Sequence, residues 1–272
     1  MTIVMAAVLS LTIQATQPAM PKQEPMTRVE INTTAGPITI GLYDDTPRHR
    51  DNFLKLVREG FYDGVLFHRV IRDFMVQTGD PDSKNAPAGK MLGAGNAGYE
   101  IDAEILCPEH INKRGALAAA RTGDQVNPQR RSSGSQFYIV TGRKFTDAQL
   151  DQMEHQARQQ QMQDIFNRLA TEHRDSIMTL RKNRDQAGLT ELQEKLVEQT
   201  RTEAAENPFT YTPEQRAIYR ENGGAPHLDG AYTVFGEVLD GFDTVEAIEK
   251  AETDGNDRPL NDIRILSMKV LK

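Results

Sequence analysis

Glycine is distributed so unevenly that the chain must contain two kinds of architecture. Between residues 146 and 222 there is one glycine, Gly188, although the 272-residue chain holds 20. The same stretch carries 11 glutamines. Elsewhere glycine punctuates short apolar runs, as in a β-rich domain. The pattern predicts a β domain in two pieces, 27–145 and 223–272, interrupted by a helical insertion over 146–222.

Within the insertion, Thr146 and Gln149 form a capping box, with Phe145 and Leu150 as its hydrophobic staple. Apolar residues recur at Leu150, Met153, Ala157, Ile165, Leu169, Ile177 and Leu180, separated by polar gaps. Gly188 breaks this pattern, and Thr190 with Gln193 reads as a second capping box. Thr212-Pro213-x-Gln215 opens a third, short helix. The expectation is an antiparallel helical hairpin joined near Gly188, with a thin apolar stripe.

In the β part, residues 28–34 and 37–43 flank Ala35-Gly36, a hairpin signal. Thr46-Pro47 starts a helix that Gly60 stops. Further strands are expected at 65–71, 74–78, 115–120, 136–141, 232–236 and 263–270, with a second helix over 242–250. Many strands, short turns and two helices suggest a mostly β fold, a closed barrel with helices at its ends.

Several classes are excluded. A net charge of −7 argues against a general nucleic-acid binder. The single cysteine, Cys107, rules out an internal disulfide framework and a Cys-rich zinc site. No apolar run is long enough for an ordinary membrane span. The apolar run from Ile3 to Ile13, with Ile13 and Ala15 at cleavage-site spacing, fits a signal peptide, although no basic residue precedes it. A disordered or core-packed N-terminus is the alternative. Residues 1–26 are thus expected to be a signal peptide or flexible leader. Export would fit a bacterial periplasm or cell envelope; without it the protein would be cytoplasmic.

The segment FYDGVLFHRVIRDFMVQTGDP, residues 61–81, is the densest candidate for chemistry. Strand alternation puts Phe67, Arg69 and Ile71 on one face and turns His68 away, which favours a structural histidine. A short turn could bring Arg69 beside Gln77, among apolar side chains. An arginine there is always charged and costly to bury without a partner or a task. Pattern alone leaves both readings open.

This segment closely resembles the cyclophilins, the cyclosporin-binding class of peptidyl-prolyl cis–trans isomerases. Similarity continues in GALAAAR (115–121), SSGSQFYIV (132–140) and HLDGAYTVFGEV (227–238), in the family's order. The resemblance implies an eight-stranded barrel capped by two helices. It implies Arg69 as the catalytic residue. Phe74, Met75, Gln77, Ala120, Arg121, Gln136, Tyr138, Leu228 and Tyr232 would bind substrate. Arg121 stands where better-known members carry asparagine, Tyr138 replaces phenylalanine, and Tyr232 replaces a rim histidine. His227, also at the substrate site, stands where drug-sensitive members carry tryptophan, so weak or no cyclosporin binding is expected. The glycine-rich run 93–98 would be a loop beside the pocket.

The implied chemistry needs neither metal nor cofactor. Amide conjugation sets a barrier of about 18–20 kcal/mol to rotation of an X–Pro bond. Twisting the bond returns the lone pair to nitrogen, and a guanidinium aimed there binds the twisted state better than either planar one. Expected partners are proline-containing peptides and unfolded protein clients, the activity assisting folding. The competing reading is a non-catalytic peptide-binding or chaperone module working through the helices of 146–222. Other features read as structural. Cys107 precedes Pro108 and reads as a buried or inert thiol, Ser133 to Gln136 lacks a hydrolase elbow, and His155 and His173 are not spaced as zinc ligands.

Overall fold

The computed structural model describes residues 26–271. The leader up to residue 25, with the cleavage positions Ile13 and Ala15, lies outside the described residues.

β1 (Thr27–Thr33) and β2 (Gly36–Leu42) form the expected hairpin, Ile31 opposite Ile38. β3 (Arg69–Ile71) and β4 (Met75–Thr78) form a second hairpin. β5 (Glu100–Ile101) pairs with β7 (Ser132–Ser133) in a small separate ladder. β6 (Ala116–Ala119), β8 (Phe137–Val140), β9 (Val234–Asp240) and β10 (Ile265–Val270) complete the main sheet. Its eight strands are antiparallel, in the order β10-β1-β2-β9-β6-β8-β4-β3.

The sheet curls into a half-barrel. Its edges, β10 and β3, share no strand ladder; a single bridge joins Leu66 to Arg264. The strand expected over 65–71 is confined to 69–71 because Val65 closes a turn on Tyr62 and then bonds across to Ile265. This shift also overturns the alternation argument. Phe67 packs in the main core beside Val70 and Val76, not on the face of Arg69.

That core fills the inside of the curl. β1 and β2 contribute Val29, Ile31, Ile38, Ile40 and Leu42, all fully buried. α1 (Pro47–Arg58) covers one end with Phe53, Leu54, Leu56 and Val57. α6 (Phe242–Glu249) covers the other with Val245 and Ile248. Phe53 meets Phe137 edge-on at 5.3 Å, which ties α1 to β8. A second cluster lies on the outer face of the sheet around Met75, Tyr138 and Val234, and the small Ala116 and Ala118 leave room above them.

Four helices stand between β8 and β9: α2 (Asp147–Glu172), α3 (Arg174–Lys182), α4 (Gln186–Glu206) and α5 (Pro213–Glu221). The capping boxes at Thr146–Gln149 and Thr212–Gln215 form as expected. The one at Thr190–Gln193 does not. Asp185 caps α4 instead, accepting a 2.9 Å hydrogen bond from the Gly188 amide, and the Thr190 hydroxyl donates to Gln186 within the helix. The hairpin therefore turns at residues 183–185, and Gly188 lies in the first turn of α4. Its stripe is thin: Leu169, Leu196 and Thr200 are buried, and no residue of α3 is.

The helices are held at their base. Ile111 on the barrel side packs with Leu150, Tyr211 and Tyr219. Glu154, 8% exposed, accepts from the Tyr211 amide and pairs with Arg158 and Arg216. The chain leaves and returns at one point. Arg114 N–H donates to Gly223 O, Gly224 N–H donates to Arg143 O, and a Cβ at Gly142 would lie 1.9 Å from Gly224 O.

Candidate active site

The β3–β4 hairpin places Arg69 directly opposite Gln77. Arg69 is exposed at the rim. Its Nη1 donates to Gln77 Oε1 at 3.4 Å, and its Nε lies 3.6 Å from Asp257 Oδ2. Gln77 Nε2 donates in turn to Gln136 Oε1 at 2.9 Å. Gln136 Nε2 donates to Gly93 O and Gly95 O, so the glutamine pair ties the arginine strand to the glycine-rich loop.

Beside Arg69 is a cavity of about 300 Å³. Its apolar lining comes from Phe74, Met75, Tyr138, Leu228 and Tyr232; Gln77, Ala120 and Arg121 also border it. Leu228 is delivered by a single 3-10 turn, Pro226–Leu228. The sequence-derived residues therefore converge, with two exceptions. Gln136 is buried behind Gln77 and does not line the cavity. His227 lies on the far side of Phe74, ring centroids 5.3 Å apart, and faces a different groove.

The two aromatic replacements both find partners. The Tyr138 hydroxyl donates to Asn112 Oδ1 at 3.1 Å, and its ring meets Tyr232 edge-on. Burial raises its pKa well above the usual phenol value, so it stays neutral. Asn112 N and Nδ2 both donate to Asp229, as does the Tyr219 hydroxyl of α5. A buried polar chain thus runs from a helix of the 146–222 segment to the cavity floor. Arg121 does not reach into the cavity for a ligand. It donates to Ala231 O and Thr122 O, pairs with Asp124, and lies over the Tyr232 ring at 4.5 Å. It fixes the loop that carries Tyr232.

His68 lines the same cavity as Arg69, contrary to the alternation argument. It is 3% exposed, and its ring nitrogens have no partner among the described residues. Burial lowers its pKa, so it is neutral and suits a wall better than a proton relay.

Sequence reasoning missed the far wall: Lys90, Leu92, Asn256 and Arg258. It also missed Asp257, the carboxylate that braces Arg69. Arg258 is 5% exposed and donates to Ala86 O and Pro87 O, anchoring the loop that leads to Lys90 and Leu92. The polar run DGNDR, 254–258, was the available signal, but it reads as an ordinary turn. Cys107 is half-buried, and burial pushes its thiol up to about 11, which makes it a poor nucleophile. Among the described residues no group of three His, Cys, Asp or Glu could hold a metal, and no helix is long and apolar enough to cross a membrane.

Comparison with known proteins agrees with this geometry. Residues 28–270 match the family described as cyclophilin-type peptidyl-prolyl cis-trans isomerase/CLD. A Staphylococcus haemolyticus protein whose name assigns it to the peptidyl-prolyl cis-trans isomerases is 28% identical over 89% of this chain and 90% of its own length. A Streptococcus pyogenes protein named as a bifunctional phosphatase/peptidyl-prolyl cis-trans isomerase is 30% identical, but this chain spans 38% of it. A Cryptosporidium parvum cyclophilin superposes with a TM-score of 0.53 at 21% identity, covering 91% of this chain and 98% of that one. A second structure of that protein, in the presence of the dipeptide Ala-Pro, gives 0.51 at 21% identity over 90% of this chain and 99% of that one. The fold, the converging hairpin residues and the match over 28–270 together place the chain in the cyclophilin-type peptidyl-prolyl cis–trans isomerase family.

Proposed function

We propose that this isomerase works through Arg69, with the substrate proline ring in the cavity beside it. The supporting observation is the placement of a guanidinium, braced by Asp257 and Gln77, at the rim of an apolar floor of Phe74, Met75, Tyr138 and Leu228. The floor holds the ring and excludes water. The arginine bonds the proline nitrogen once its lone pair is freed by twisting, so the interaction is strongest at the top of the barrier. Gln77 and, through it, Gln136 hold the arginine side chain in position. Substrates are proline-containing peptides and unfolded chains, a class suggested by the Ala-Pro dipeptide of the structural neighbour.

The test is cis-to-trans conversion of a short Ala–Pro peptide by wild type and by folded Arg69→Ala. A charge-assisted hydrogen bond contributes about 1.5–3 kcal/mol, so kcat/KM should fall by about 10- to 150-fold. Unchanged turnover in a folded variant refutes this role for Arg69.

The reading extends to the chain's organisation. Segments 27–145 and 223–272 form the isomerase domain and 146–222 a helical insertion that assists unfolded clients, a chaperone-like contribution. The curled sheet is taken as a functional closed barrel, supported by the backbone bonds of Gly64 and Val65 with Ile265. His227 in place of a tryptophan should leave cyclosporin binding weak or absent, which titration calorimetry checks. Residues 1–15 are proposed as an export signal to the periplasm or envelope. N-terminal sequencing of secreted material tests this, and a retained Met1 would refute it.

A further inference from the structure

We infer that a groove between α2 and the 226–232 segment is a second binding site for the substrate chain, taking residues that flank the X–Pro bond. The inference rests on the assignment of the proline cavity above.

The groove encloses about 680 Å³. One wall is α2, through Met153, Ala157 and Ile165; Phe209 adds an aromatic face. The opposite wall is the segment that also builds the proline cavity. Leu228 and Tyr232 point to the cavity, whereas Pro226, His227 and Ala231 face the groove. The two spaces are therefore separated by the thickness of one chain. His227 marks the seam, exposed, with its ring against Phe74 of the cavity and bordering the groove. A polypeptide whose proline occupies the cavity can continue over His227 without leaving the surface.

The dimensions and chemistry suit an extended chain. Met153 to Ile165 is about 18 Å along the helix axis, the length of about five extended residues. Met153, Ala157, Ile165, Phe209 and Pro226 supply the groove's apolar surface. The rim carries Gln156, whose amide can both donate to and accept from a main chain, with Gln160 donating to Asp164 beside it and Arg130 on the opposite side. Such a surface of apolar contacts and amides adds affinity for an extended chain, which fits unfolded clients. It also gives the base of the insertion a task beyond covering the barrel.

The test uses the full chain and two substrates, a four-residue X–Pro peptide and one extended to about twelve residues. Wild type should show a lower KM for the long peptide. Ala157→Arg fills the groove away from the proline cavity. It should raise KM for the long peptide about fivefold or more, leaving its kcat and the short-peptide kcat/KM within about twofold. Equal changes on both peptides, or none on either, overturn the inference. A photoreactive group about four residues from the proline guards against a misfolded variant. In wild type it should label residues 153–165, and labelling confined to other surfaces overturns the inference. Failure of wild type to turn over the short peptide would instead refute the isomerase assignment.

Discussion

Asp229 should make the protein less stable at neutral pH than at mildly acidic pH, and its amide should cure this. The carboxyl is 9% exposed. Burial pushes its pKa up from 3.8 to about 6, although hydrogen bonds from Asn112 and Tyr219 pull the other way. Because the folded-state value is raised, the folded protein holds this proton more tightly than the unfolded chain does. Stability from this group is complete below the unfolded value and is lost as pH rises through about 6. The full shift corresponds to about 3 kcal/mol at neutral pH. In Asp229→Asn the amide oxygen keeps the bonds from Asn112, and the amide nitrogen can donate to the Tyr219 oxygen. Tyr211 and Cys107, which also face the carboxyl, stay neutral throughout this range, Cys107 pushed up to about 11 by burial. Urea unfolding of both proteins from pH 4.5 to 7.5 should show the variant's advantage widening by about 2 kcal/mol. His49 and His68, both held low by burial, titrate with the opposite sign, but they are common to both proteins and cancel. A difference that does not change with pH refutes the argument.

Other perturbations probe the site and its supports. Gln136→Ala removes the bonds to Gln77, Gly93 and Gly95 and should lower kcat/KM about tenfold with a folded protein; retained activity would show that the pair does not position Arg69. Gly79 has φ of +93°, and a Cβ there would lie 2.1 Å from Ser135 O, so Gly79→Ala should cost about 3 kcal/mol or more by denaturant unfolding, and a cost below about 1 kcal/mol would contradict the geometry. Glu154→Ala leaves the Tyr211 amide without its acceptor and should speed hydrogen exchange there by about tenfold or more, while exchange in β1 and β2 stays unchanged.

Local chemistry was legible in the sequence and long-range geometry was not. The Arg69–Gln77 juxtaposition follows from two apolar-rich strands and a short turn, and the structure has that register. Capping boxes at Thr146 and Thr212 were readable because both partners lie within four residues. The Thr190 box failed in competition with Asp185, an equally good cap placed five residues earlier. Periodicity failed across Phe67 and His68 because the chain bonds residues 263–265 up to Phe67 and joins β4 only from His68, whose N–H donates to Gln77 O. Asp257 could not be found from spacing: it is 188 positions from Arg69 and sits in a polar turn. His227 aligned with a pocket position, yet its ring turns to the groove, a space created by helices that the alignment of barrel residues does not describe.

The pinch at Gly142, Gly223 and Gly224 has a consequence in polymer terms. To the barrel, everything between these glycines is one loop with coincident ends. Closure entropy grows only with the logarithm of contour length, so a loop ten times longer costs about 2 kcal/mol more to close. The helical arm can therefore be lengthened, trimmed or exchanged over a lineage's history without altering the register of β8 or β9. Conversely, a cleavage at its tip, residues 183–185, would sever the chain and leave both barrel strands paired as before. The barrel and its arm are free to diverge at different rates, coupled at the base where Leu150, Tyr211 and Tyr219 pack on Ile111 and Tyr219 bonds Asp229.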